Sequence, residues 1–183
     1  MKARYGFSIL LLAALGSACE QLAAPNAEQA EPAKPTLAVA QTSPHTGAGG
    51  TFNQTAITSL DVRLAGPNTV LEQTAEGSIS GTLTGTFEDR LKVVIHPNGR
   101  FNAHFTITCA CMVEGKEGVL EIVAGDTGEL VSPNLATFAG RAVINGGTGE
   151  LSGLRGVLWI EGTVDVASGL STYAYSGKIH FHP

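Results

Sequence analysis

Between Phe101 and Val113 the chain alternates without a break. Phe101, Ala103, Phe105, Ile107, Cys109, Cys111 and Val113 fall on odd positions; Asn102, His104, Thr106, Thr108, Ala110 and Met112 fall on even ones. Period two belongs to the β-strand, whose successive side chains point to opposite faces. On a helix the same residues would spread round the whole circumference. The stretch therefore predicts a long strand with one dry face, and that face has to be covered by a second layer or by closure into a barrel. The pattern recurs. Ile79, Gly81, Leu83, Gly85 and Phe87 share a face, read as one strand from Ile79 to Phe87, and its inward glycines suit a strongly curved sheet. Leu91, Val93 and Ile95 form another, and Val119–Ala124 is apolar on both sides. Phe138, Gly140, Ala142 and Ile144 share a face, as do Leu158, Ile160, Gly162, Val164 and Val166. Tyr173, Tyr175, Gly177, Ile179 and Phe181 make the last, and Leu60, Val62 and Leu64 an early one within Ala56–Leu64. Short turn sequences such as His96-Pro97-Asn98-Gly99 and Gly115-Lys116 separate several of them. About eight strands, no convincing helix and short connections predict an all-β, eight-stranded antiparallel up-and-down barrel.

One loop stands out between two of these strands: Gly146-Gly147-Thr148-Gly149-Glu150-Leu151-Ser152-Gly153-Leu154-Arg155-Gly156. Gly146, Gly147 and Gly149 can take positive φ, so the chain can turn sharply after Asn145. Leu151 and Leu154 are three apart, so a tight helical turn would aim both the same way and plug one barrel end. Gly156 lets the following strand start close to a neighbour. A phosphate cradle is the other reading, but no Gly-Lys-Ser/Thr follows and a strand, not a helix, comes next. The Gly-Gly-Thr-Gly…Arg-Gly loop, with Arg155 and Gly156 at its end, resembles that of the allene oxide cyclase-like barrel family, which includes plant dirigent proteins and bacterial members. The resemblance runs from Gly81 to Phe181 and takes in Tyr175-Ser176-Gly177-Lys178-Ile179-His180-Phe181. It implies the same closed barrel and a cavity able to act on a hydrophobic molecule with a few polar residues. Dimers and trimers both occur in the resembled family, so it implies a homo-oligomer without fixing its order.

Ahead of the barrel the sequence has a different character. Lys2 and Arg4 precede a short apolar run, Ile9–Leu15, too short to span a bilayer. Leu15-Gly16-Ser17-Ala18-Cys19 then resembles a bacterial lipobox, with Cys19 as the lipidated residue, although Gly16 stands where leucine is preferred. Residues 1–18 read as a signal peptide, 19–51 as a lipid-anchored flexible linker rich in Ala, Pro, Gln and Glu, and 52–183 as the barrel domain. The implied address is the cell envelope, on the outer-membrane side because Glu20 is not the retaining aspartate; plain secretion is the alternative. The membrane is then a partner through the anchor. The net charge of −5 (11 basic against 16 acidic residues), without a basic cluster, argues against nucleic acid.

The chemistry is thinner. Cys109 and Cys111 share one strand face. In an extended strand their Cα atoms would be roughly 6.7 Å apart, near the upper limit for a disulfide, so two small buried apolar groups is the preferred reading and a bridge the minority one. His180 and His182 share a face opposite Ile179 and Phe181, which reads as a solvated edge rather than a metal site; no metal and no cofactor is expected. Trp159, Glu161 and Asp165 lie opposite Leu158, Ile160 and Val164. If the apolar face points inward they are outside; if it is reversed they make a polar site inside the cavity. Phe105, Tyr173 and Tyr175 are the candidate ligand-lining residues. The faces of Phe101, Ile79, Phe138 and Tyr173 carry no Asp, Glu, Lys, Arg or His. General acid–base catalysis needs such a group within reach of substrate. The sequence alone therefore favours a non-catalytic envelope barrel that at most binds a small apolar ligand. An isomerase or cyclase acting on a hydrophobic substrate, and a purely structural domain with a filled core, stand as alternatives.

Overall fold

The computed structural model describes residues 45–182. The chain forms β1 (Thr46–Ala65), β2 (Asn68–Gly81), β3 (Leu83–Ile95), β4 (Arg100–Val113), β5 (Lys116–Ser132), β6 (Leu135–Gly147), β7 (Leu154–Asp165) and β8 (Ser171–Phe181), with a single 3-10 turn at Gly149–Leu151. Each strand pairs antiparallel with the next, and β8 closes on β1, so the eight make a closed up-and-down barrel in sequence order. The inward faces are those the alternation marks: Phe101 through Val113 on odd positions are all buried.

Because the strands alternate in direction, the turns gather at two ends. At one end sit the β2–β3, β4–β5 and β6–β7 connections. Leu151 and Leu154 fill this end, both with no exposed surface. Gly146, Gly149 and Gly153 adopt positive φ there (135°, 62° and 81°), which is what lets the loop fold back over the barrel. Gly147 does not take positive φ; it is glycine for space, since a Cβ would sit 2.7 Å from Leu120 Cδ2. The Arg155 guanidinium lies over Gly146, and Gly156 packs under Ile179.

Four expectations change. The barrel starts earlier than residue 52: Thr46–Gly50 pair with Ile179–Tyr175 as the first part of β1. The glycine-rich composition there looks like tether, but Gly50 is small so that the Tyr175 ring can lie against it, 2.7 Å from where a Cβ would be. The run from Ile79 to Phe87 is two strands. Gly81, at φ 110°, reverses the chain, and Thr82 donates its backbone N–H to Gly49 O at 2.9 Å. Alternation persists through the turn because Ile79, Leu83 and Phe87 all still face inward. Leu60, Val62 and Leu64 do share a face, but they are exposed, because β1 at that point extends past the end of β8. Cys109 and Cys111 are buried as apolar groups would be, yet they are disulfide-bonded, with Cα atoms 5.3 Å apart. That distance is shorter than full extension allows, so the strand is locally contracted at the bridge.

Candidate functional site: a polar cluster in an apolar cavity

The end opposite Leu151 and Leu154 is open, and a cavity of about 170 Å³ runs in from it. Its wall is mostly apolar: Leu71, Leu91, Val93, Ile95, Phe101, Phe105 and Phe138, with Val164 and Val166 near the rim. Six polar side chains line it, from five strands. Gln54 comes from β1, Gln73 from β2, Asp89 from β3, Asp126 from β5, and Ser171 and Tyr173 from β8.

Strand alternation places them. Asp89 lies between Phe87 and Leu91 on the inward face of β3, and Asp126 is two residues beyond Ala124 on that of β5. Gly140, in register opposite Asp126, has no Cβ because one would press on the Asp126 Cβ and Cα. Gly162 makes room in the same way for the Cβ of Tyr173. The Tyr173 ring stacks on Phe52 at 4.8 Å between centroids and meets Phe138 edge-on at 5.7 Å. Ring contacts of this kind fix the direction in which the phenol points.

Hydrogen bonds orient part of the cluster. The Ser171 backbone N–H donates to Gln54 Oε1 at 2.9 Å, and Gln54 Nε2 donates to Asp89 Oδ2 at 2.6 Å. Four other buried polar atoms have no protein partner: Asp89 Oδ1, Asp126 Oδ1, Gln73 Nε2 and the Tyr173 hydroxyl. Leaving a buried polar atom unpaired costs about 1–3 kcal/mol, and all four of these residues line the same cavity. A few unpaired polar atoms in a cavity whose remaining wall is mostly hydrocarbon is the arrangement that small-molecule pockets share.

Burial also sets the protonation states. Loss of water raises the Asp89 carboxyl to about 6; the hydrogen bond from Gln54 and one from the Ala75 backbone hold it back, while the negative charge of Glu88 adds slightly to the rise. Burial raises Asp126 further, to about 7. The Tyr173 hydroxyl is pushed well above its usual range, first by burial and then by the negative charge of Asp89 and Asp126. Near neutral pH the cavity therefore holds one carboxyl that is mostly ionised, one that is about half protonated, and a phenol that keeps its proton.

The sequence candidates separate cleanly. Phe105 and Tyr173 line the cavity. Tyr175 does not: it lies deeper, where its hydroxyl accepts the Leu83 backbone N–H at 2.9 Å and its ring packs on Phe52. The inverted reading of β7 fails, because Leu158 and Ile160 are buried and Trp159 is 63% exposed. Glu161 is on the outer wall, and Asp165 caps the β7–β8 turn by accepting the backbone N–H groups of Ala167 and Ser168. His180 contacts the ring of His45 at 4.6 Å, and among the described residues no cluster of three or more metal-ligating side chains forms. Cys19 lies outside the described residues.

Asp89 and Asp126 are the residues that sequence reasoning missed. The four faces are uncharged over the stretches read, but the interior is not: Asp89 follows on β3 just beyond the Ile79–Phe87 run, and Asp126 enters on β5, which is not among the four. The signal was present: carrying the Leu91–Val93–Ile95 face back to Phe87 passes through Asp89, and carrying the Leu120–Ile122–Ala124 face forward reaches Asp126.

No family model and no curated protein matches the sequence. Among solved structures, the fold is similar to that of a Shewanella oneidensis protein of unknown function from the DUF3224 family. The TM-score is 0.52 at 17% identity, over 76% of this chain and 99% of that one. A second similar structure is the pterocarpan synthase dirigent protein PsPTS1, with a TM-score of 0.47 at 15% identity, over 76% of this chain and 97% of that one.

Proposed function

We propose that the barrel binds a small, largely apolar molecule carrying one polar group, and that it isomerises or cyclises that molecule by proton transfer between Asp89 and Asp126. The observation that carries this reading is the pair of carboxyls whose burial brings them to about 6 and about 7 inside a mostly apolar cavity. Groups with values near the working pH are the ones suited to give and take protons. In the productive state Asp89 is ionised and Asp126 protonated. Asp89 takes a proton from the substrate, Asp126 donates one elsewhere on it, and the substrate's net proton count is unchanged. The two carboxyls regain their starting states by exchange with water at the open end. Tyr173, still protonated, donates a hydrogen bond to the substrate's polar group, and Gln73 Nε2 is a second donor.

The test is to incubate the purified protein with a membrane extract and analyse by mass spectrometry what it retains and whether that molecule is altered. Conversion by the wild type that is lost in Asp89→Asn and Asp126→Asn, with retention preserved, supports the reading. Retention of an unaltered molecule by all three reduces the protein to a binding module, the second reading, which the apolar wall supports by itself. Retention of nothing by the wild type counts against both. We further propose that Cys19 anchors the chain to the envelope membrane. Labelled palmitate should then enter the wild type and not Cys19→Ala, and equal labelling of the two would end that idea.

A further inference from the structure

β8 pairs with β1 only as far as Asn53, opposite Thr172, whereas β2 continues to pair with β1 up to Ala65, opposite Asn68. From Thr58 to Ala65, among the described residues, β1 thus has a strand neighbour on one side only. Half the backbone N–H and C=O groups of that stretch point away from β2. Folded proteins usually blunt such an edge with charged side chains, a proline, a bulge or a covering loop, and of these this edge carries Asp61 and Arg63. Here the two register shifts of β1 lie mid-strand, between Gln54 and Ala56 and between Ile57 and Ser59, so the second touches the edge only at Thr58, and no proline follows until after the strand. Every residue from Thr58 to Ala65 is exposed. Leu60, Val62 and Leu64 continue the barrel's inward face, in register with Gln73, Leu71 and Thr69, and are 53%, 55% and 81% exposed. Asp61 and Arg63 alternate with them on the other face.

We propose that this edge pairs with the same edge of a second copy of the chain, antiparallel about a two-fold axis through Val62. The sequence of the edge is self-complementary in that register and in no neighbouring one. Val62 meets Val62, Leu60 meets Leu64, and Asp61 meets Arg63, twice each for the last two by symmetry. Moving the axis by two residues, to Leu60 or Leu64, sets Asp61 against Ser59 or Pro67 and loses both charge pairs. A one-residue slip sets Val62 against Asp61 and mixes the two faces. A two-fold contact requires this kind of self-matching patch. A lipid surface matches less well: it would cover the leucines but leave the outward backbone groups unpaired in hydrocarbon. Pairing makes one sheet of β2 and β1 from each copy, with both sets of Leu60, Val62 and Leu64 contiguous beside the two cavity mouths. It stands independently of the proposed chemistry.

The experiment uses the full chain. Sedimentation equilibrium should show a dimer. Asp61→Arg, which sets like charges against each other twice, should weaken it by about tenfold. The double variant Asp61→Arg/Arg63→Asp should restore it, since it reverses both partners across the axis and leaves an arginine beside Glu72, the present partner of Arg63 at 3.4 Å. In a Cys19→Ala background, Val62→Cys should cross-link to a covalent dimer under mild oxidation, because residues facing each other across a strand pair bring their Cβ atoms to about 4.5–5.5 Å. Leu130→Cys, similarly exposed at 45% but on another strand, should not. All these positions are exposed, so circular dichroism should be unchanged throughout. A chain that remains monomeric at its highest soluble concentration overturns the proposal, whether or not it floats with lipid vesicles. So does a dimer that ignores Asp61→Arg, a double variant that fails to restore it, or a Val62→Cys that does not cross-link.

Discussion

The two ends of the barrel are built on opposite principles. At the closed end Leu151 and Leu154 are sealed beneath a glycine turn, and the nearby polar groups find partners: Glu150 Oε2 accepts the Glu117 N–H at 3.1 Å, and the Tyr175 hydroxyl accepts that of Leu83. At the open end two carboxyls, a phenol and an amide are buried with atoms left unpaired, and β1 runs past its neighbour with leucines exposed. The contrast teaches that paired packing and unpaired polar groups are divided along the barrel axis. The closed end supplies well-packed hydrocarbon, and the open end holds groups that destabilise the free protein and that the proposed function puts to use. Natural proteins commonly carry such costs at sites and offset them elsewhere.

The comparison can be broken most sharply at the plug. Leu154→Ala removes a fully buried side chain and should cost about 2–5 kcal/mol, read as a large fall in denaturation midpoint; a fall no greater than that of a surface change would show that the turn does not seal the barrel. At the other end the sign reverses. The Asp126 carboxyl is raised to about 7 in the folded chain from an ordinary value of 3.8. Its contribution is most favourable below about 4 and is lost as pH rises through 7. Asp126→Asn should therefore raise stability at pH 8, by up to roughly 4 kcal/mol, and change it little at pH 4. Equal effects at both pH values, measured by denaturant titration, would remove the case for a strained carboxyl.

The proposed chemistry sharpens the same contrast. Conversion should follow a bell in pH, rising as Asp89 ionises near 6 and falling as Asp126 ionises near 7. Gln54→Ala removes the hydrogen bond that holds Asp89 down and should move the rising limb to higher pH while leaving the falling limb in place. A profile flat from pH 5 to 8 in the wild type would exclude both carboxyls as the titrating groups. The smallest effect belongs to the outer wall: Trp159→Ala should change stability by less than about 0.5 kcal/mol, since the side chain is mostly in water.

The fold was legible because alternation is strict wherever a strand is dry on one face, as from Phe101 to Val113, and because the glycine loop announces its own turn. Three things hid the rest. A tight reversal at Gly81 keeps the alternation in phase, so one strand and two look alike. A glycine-rich strand start at Gly47–Gly50 has the composition of a tether, and only at Gly50 do the neighbours, the Ser80 carbonyl and the Tyr175 ring, require a glycine. The site was hidden by the rule that found the core: an aspartate inside an apolar face reads as the end of that face, so the face of β3 breaks between Phe87 and Leu91 and that of β5 stops at Ala124. Whether a polar residue ends a strand or fills a cavity is settled by what the neighbouring strands bring beside it, which no local period records. The exposure of Leu60, Val62 and Leu64 was invisible for a similar reason, since it depends on where β8 stops.

The pairing of Thr46 with Ile179 brings the two ends of the described chain side by side, at the end of the barrel away from the cavity. Since every other ladder joins neighbours in sequence, the order of the strands round the ring has no privileged starting point. A circular permutant that joins residue 45 to residue 182 through a short linker and opens the chain at the exposed Pro97–Asn98 turn keeps all eight ladders and the inward face of every strand. It converts the one long-range closure of the ring, β1 on β8, into a local hairpin and makes β3 on β4 the new seam. Loop-closure entropy then falls on a different pair of strands. Comparing the refolding rates of the two chains would show whether closing the ring, or building its hairpins, sets the pace of folding.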